Sequence, residues 1–323
     1  MTQSVERIQA IVAGCEKINS LQNSVRDHIN TTRYQSELLK NSSNWNQICS
    51  SLDAIGDTVL SIVDYTSSEY PDSAGLKYIH TYGVLQALFV QQDAMTHLSE
   101  AFDISFVQSE NLKKIRAIRN AAIGHPTKNT VKRINYYNYI SRISLHKWGF
   151  TLLRSSGKSD SQFTSVKLDE LTSEQIQEIG SAHTALNEKL TEADKMHREK
   201  FKDELVADVF SSSIDYLFQK VAEGIHSPDE ANRSFGLAML ELIGDAYKKF
   251  EATLASRNEL NEYVKFDLDE YQHAIQKLRA YLSKSIASMS DADARIYCFY
   301  IREQHGRFAK LAEEIDEEYR PSA

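Results

Sequence analysis

Three side chains in one short stretch could together handle a phosphate and a proton. They are Arg119, Asn120 and His125, within Asn111–Lys128, NLKKIRAIRNAAIGHPTK. A guanidinium grips a phosphate through forked, charge-assisted hydrogen bonds. An imidazole titrates closer to neutrality than any other unperturbed side chain, which suits it to proton transfer. At about 100° per residue, Leu112, Ile115, Ile118, Ala122 and Ile123 share one arc of a helix. Arg119 projects into the middle of that arc and Arg116 sits at its edge. A guanidinium on an apolar face must meet a carboxylate, an anion or an interface, because burying it unpaired is costly.

The end of this helix is marked as sharply. Gly124 can take the left-handed conformation of a residue just past a helix terminus. Pro126 cannot continue the ladder and pushes His125 out of helical geometry. The imidazole is thereby expected just beyond the terminus, close to Arg119 and Asn120.

The elements that must position this turn come before and after it. The helix expected over 74–102 is apolar nearly all round, with Leu76, Ile79, Leu85, Leu88, Phe89, Val90, Met95 and Leu98, as for a helix buried on several sides. Along it Tyr78, Tyr82, Gln86, Asp93, His97 and Glu100 form one narrow polar stripe. Such a stripe either faces solvent or meets the arginines of the next helix. In the second case Asp93 is the carboxylate that pairs with Arg119 or orients His125.

Earlier still, residues 4–40 read as a long helix with the seam Ile11, Cys15, Ile18, Gln22, Val25 and Ile29, for packing within the chain or against a second subunit. A further helix over 46–67 carries Ile48, Leu52, Ile55, Val59, Ile62 and Val63.

After the turn the period changes. Residues 136–144, 147–154 and 162–168 predict a small antiparallel meander. Lys128, Lys132, Arg133, Arg142, His146, Lys147, Arg154 and Lys158 make this the most basic region, interleaved with Tyr136, Tyr137, Tyr139 and Trp148. The cations suit a phosphate backbone; the aromatics read either as stacking partners for bases or, more simply, as the buried face of the meander. From Glu170 onward the chain reads as helical again. Thr172 with Gln175 resembles a capping box, Ser227-Pro228-Asp229-Glu230 a helix start with Ser227 as cap, proline at N1 and Glu at N3, and Asn258 and Ser290 two further caps. The organisation expected is a helical domain over 1–130, the meander over 131–170 and a long-helix region over 171–323: a mainly α protein.

Composition narrows the class. The 323 residues include 4 Pro and 12 Gly, 41% are hydrophobic and 25% charged, which describes a helical globular chain. A net charge of −8 argues against a globally basic surface but leaves room for a local basic cleft. Cys15, Cys49 and Cys298 are odd in number and widely separated, so a reducing cytoplasm is expected, without a disulfide framework or zinc site. The histidines lack metal-ligand spacing, and no Walker loop, nucleophile elbow, dinucleotide fingerprint or two-metal carboxylate cluster is present. No signal peptide or membrane-spanning run is read in the chain. A reaction needing only protons and positive charge remains, with no cofactor and no metal.

Arg119, Asn120 and His125, as R-N-x-x-x-x-H followed by Pro126, resemble the signature of the HEPN family of helical domains, Arg-Asn, a variable stretch and then His, in which four to six residues separate the Arg from the His. The resemblance implies a HEPN-like helical bundle that forms a homodimer, with two such motifs facing one cleft. It further implies a metal-independent endoribonuclease of toxin–antitoxin, abortive-infection or antiviral defence systems. RNA would be the substrate, and a cognate antitoxin or sensor protein a further partner. On this reading Arg119, Asn120, His125 and Asp93 are catalytic, and Arg116, Lys128, Lys132 and Arg133 bind RNA. Some members carry a Tyr two positions after the His, where this chain has Thr127. The alternative function is a non-catalytic HEPN-like dimer that binds a protein or nucleic acid.

Overall fold

A computed structural model describes residues 2–131, 133–156, 160–284 and 289–320. It is mainly helical, with ten α-helices and one four-stranded antiparallel sheet among the described residues. No helix among them is long and apolar enough to cross a membrane. The chain forms two compact units, Met1–Ile29 with Asn41–Thr191, and Asn30–Lys40 with Glu192–Ala323. The sheet therefore belongs to the first unit rather than standing as a segment of its own. The boundary near 191 falls inside a helix, where no turn residue marks it.

In the first unit, α1 (Thr2–Asn30) buries the whole seam Ile11, Cys15, Ile18, Gln22, Val25 and Ile29. The polar member is satisfied: Gln22 Nε2 donates to the Leu52 carbonyl of α3 (Ser42–Ser67). Gly14 of α1 is held close by Ile176, whose Cγ2 leaves no room for a Cβ there. α4 (Ala74–Ala101) is buried through Val84, Leu85, Leu88, Met95 and Leu98, but Leu76 and Ile79 near its start are exposed, contrary to the all-round burial expected.

The capping box expected at Thr172 and Gln175 is not one. The sixth helix starts earlier, at Leu168, and runs to Phe201 as α6, with both residues buried inside it. Gln175 instead cross-links to α4, donating to the Leu88 carbonyl at 2.8 Å and to Gln91 Oε1 at 2.9 Å, and accepting from Gln92 Nε2 at 2.7 Å. α5 (Glu110–Arg119) is capped by Ser109, whose hydroxyl accepts from Leu112 N.

The sheet is a meander in the order β1 (Asn129–Val131), β2 (Ile134–Ile140), β3 (Gly149–Ser155), β4 (Gln162–Lys167). Arg133, beside the turn between β1 and β2, takes φ 66°. Asn138, Phe150, Leu152 and Val166 are buried on one face. Lys147 is anchored at the end of α3, donating to the Thr66 carbonyl at 2.9 Å and to that of Ser68, and Trp148 meets Tyr65 edge-on at 5.7 Å.

The second unit holds α2 (Thr32–Leu38), the end of α6, α7 (Ile214–His226), α8 (Glu230–Ser256), α9 (Glu262–Leu282) and α10 (Asp291–Tyr319). Its core is aromatic: Tyr247 stacks on Tyr271 at 3.9 Å, with Phe250 and Phe308 edge-on around Tyr247. Ser290 caps α10 through a capping box with Asp293. The other two starts differ from expectation. Asp229, not Ser227, caps α8, and Asn261, not Asn258, caps α9. Asn258 sits at φ 58°, in the turn that ends α8.

Candidate active site

α5 does not end in a left-handed glycine. It widens into a π-helical turn, Asn120–Gly124, closed by a hydrogen bond from His125 N to the Asn120 carbonyl at 2.7 Å. Single π turns insert one residue into the helical ladder and are frequent at functional sites. His125 follows at φ −138°, ψ 54°, out of helical geometry, ahead of Pro126. Gly124 leaves space at this turn rather than supplying φ. A Cβ there would meet Arg119 Nη1 at 3.0 Å and Asn120 Oδ1 at 3.3 Å.

Arg119 is half-buried and held entirely by neutral groups. Its Nε and Nη2 donate to Gln86 Oε1 at 3.1 and 2.7 Å, and its Nη1 donates to Asn120 Oδ1 at 3.0 Å. Its Cζ lies 4.2 Å from the ring centre of Phe89. No carboxylate pairs with it among the described residues. A guanidinium has five N–H donors. One on Nη1 and one on Nη2 are left for an incoming oxygen.

Arg116 stands on the same ring, also at 4.2 Å, so Phe89 carries two cations. Asp93, expected to pair with Arg119 or to orient His125, does neither. Its Oδ1 accepts from Arg116 Nη1 at 2.6 Å. One turn of α4 separates Gln86 from Phe89 and nearly two separate it from Asp93, so α5 meets the amide opposite Arg119 and the carboxylate opposite Arg116. The polar stripe of α4 does face the arginines of α5, with the partners redistributed. Arg116, expected to bind RNA, is already ion-paired.

The His125 side chain is exposed, and no protein group holds it among the described residues. The backbone bond to Asn120 and the Asn120–Arg119 side-chain bond make the motif one connected unit. Lys128 and Arg133 are exposed; Lys132 and Lys158 lie outside the described residues. Sequence reasoning did not single out Gln86 and Phe89 as site residues. Gln86 was visible in the α4 stripe, but an amide carries no signal of which cation it will face. Nothing in the sequence marked Phe89 apart from other core aromatics.

No family model, no curated protein and no solved structure matches this chain. The functional reading therefore rests on the site itself.

Proposed function

We propose that this chain is a HEPN-type, metal-independent endoribonuclease, in which the 2′-hydroxyl of RNA attacks the adjacent phosphorus. The observation that carries the reading is the state of Arg119: a half-buried cation with two free donors and no carboxylate among the described residues, one π turn from an exposed imidazole. A buried charge without a counter-ion is costly, and a phosphate oxygen is the ligand that would relieve it.

In the reaction His125 takes the 2′-hydroxyl proton, or gives a proton to the departing 5′-oxygen. Arg119 holds the nonbridging oxygens as negative charge builds on the pentacoordinate phosphorus. Asn120 fixes the guanidinium and, through its carbonyl, the backbone of His125. The P–O5′ bond breaks as the P–O2′ bond forms, leaving a 2′,3′-cyclic phosphate and a 5′-hydroxyl. A homodimer would supply acid and base from two chains. The exposed run Leu76, Ile79 and Tyr82 on α4, leading towards Gln86, is an apolar stripe suited to that contact. A role in bacterial defence or toxin–antitoxin biology follows from the family resemblance alone.

The test is cleavage of labelled RNA in EDTA. Arg119→Ala and His125→Ala should each lose about 10²–10⁴-fold in rate while the urea midpoint stays near that of the parent. Wild-type protein inert on tRNA, ribosomal and synthetic RNA would reject catalysis in favour of a binding module.

A further inference from the structure

The sheet of the first unit has a second face that the fold does not use. Side chains alternate along each strand. With Asn138, Phe150, Leu152 and Val166 turned inward, Tyr137, Tyr139, Leu153 and Phe163 turn outward. The register places three of these in one row across the strands, Tyr139 opposite Leu153 and Leu153 opposite Phe163. Tyr139 is 57% exposed and Phe163 72%. The simpler sequence reading, that the tyrosines form the buried face of the meander, therefore fails for Tyr137 and Tyr139. On the inward face of β2 the buried residue is Asn138, and Tyr136 beside it is half-buried under Arg154.

Two further observations say what would cover this face. Between Asn129 and Lys167 the sequence has seven Lys and Arg and one acidic residue, Asp160, in a chain of net charge −8. Of these cations Arg133, Arg142 and Lys167 are exposed, Lys167 paired with Glu170, as is Lys128 just before the sheet. A face of rings bordered by cations and nearly free of carboxylates complements a polyanion with flat apolar groups. In addition, Asn138 N donates to the Pro126 carbonyl at 2.8 Å. The two outward tyrosines flank the residue that is pinned to the His125-Pro126 turn.

We propose that the outer face of this sheet is a base-stacking surface that carries single-stranded RNA to the Arg119–His125 turn. Tyr139 and Phe163 each take a base on an open ring face, Tyr137 extends the row towards Ser155, and Arg133, Arg142 and Lys128 hold phosphates along the border. Paired bases hide their faces, so a duplex cannot use the surface. Delivery to the turn rests on the nuclease reading above; stacking on the sheet does not.

The experiment measures fluorescence anisotropy of the wild-type protein with a short labelled 2′-O-methyl RNA, which lacks the attacking hydroxyl. The same strand annealed to its complement is the comparison. Tyr139→Ala and Phe163→Ala should each weaken single-strand binding roughly tenfold, and Tyr139→Phe should restore it. The duplex should bind at least about tenfold more weakly than the single strand. Because both rings are mostly exposed, an unchanged urea midpoint is expected and shows that the variants fold. Equal affinity of the Tyr139→Ala, Phe163→Ala double variant and the parent overturns the proposal. So does equal affinity for single strand and duplex. A change in sedimentation without a change in RNA affinity also overturns it, by making the face a protein interface. Loss of binding in the double variant of a protein that cleaves no RNA would keep the stacking surface and reject the nuclease.

Discussion

Arg119 of the first unit and Arg33 of the second are both withdrawn from water, yet their surroundings are opposite. The Arg33 side chain is 3% exposed and meets three carboxylates: Asp194 at 2.7 Å, Glu318 at 3.2 Å and Glu259 at 3.3 Å. Tyr319 lies beneath it at 5.7 Å and above the wholly buried Arg257 at 5.3 Å. Burial alone would lower the Arg33 pKa, but Asp194 and Glu259 raise it above the ordinary value. Arg119 has two amides, a ring and, among the described residues, no anion. A cation matched by carboxylates is finished business within the fold, whereas one matched only by neutral dipoles is open to an anion from outside. The difference separates a structural guanidinium from a functional one more cleanly than burial does.

That contrast can be broken by removing each guanidinium in turn. Arg33→Met should cost about 3–5 kcal/mol, read as a fall in the urea midpoint, because it strands the buried Glu259 carboxylate. Arg119→Ala should leave that midpoint nearly unchanged. A stability loss of equal size at Arg119 would erase the distinction.

His183 of the first unit sharpens it from the neutral side. It is fully buried, neither ring nitrogen finds a partner among the described residues, and burial lowers its pKa to about 4. The folded state keeps it neutral while the unfolded chain takes a proton near pH 6.5. Stability is therefore lost as the pH falls from about 6.5 towards 4, by roughly 3 kcal/mol at most from this residue. His183→Gln should flatten that part of a stability–pH profile. An unchanged profile would show that the site opens to water.

Gln86→Glu is a gentler test, since it hands Arg119 the carboxylate that Arg33 already has. RNA cleavage should drop about tenfold or more through competition for the free donors, while stability holds or rises slightly. Retained full activity would show that Arg119 does not need to be uncompensated.

The smallest effect is expected at Asp93. Its pair with Arg116 is partly exposed, with side chains 40% and 26% accessible, so Asp93→Asn should cost no more than about 1 kcal/mol. Cleavage should fall by less than about tenfold. A loss matching that of Arg119→Ala would restore Asp93 to the catalytic set.

The sequence alone determined the helical class, the α1 seam, the meander and the break at Gly124-His125-Pro126. These follow from periodicity and from the backbone limits of proline, which act locally. It also placed Arg119 where a charge needs an explanation. Only the tertiary structure decided what that explanation is. Whether Asp93 or Gln86 faces Arg119 depends on the axial register of α4 against α5, since the two lie on one face nearly two turns apart, and packing sets that register. The π turn at Asn120–Gly124 and the outward tyrosines of β2 were settled in the same way. Which face of a strand is buried, and where a helix gains a residue, depend on neighbours many residues distant, and these no local pattern encodes.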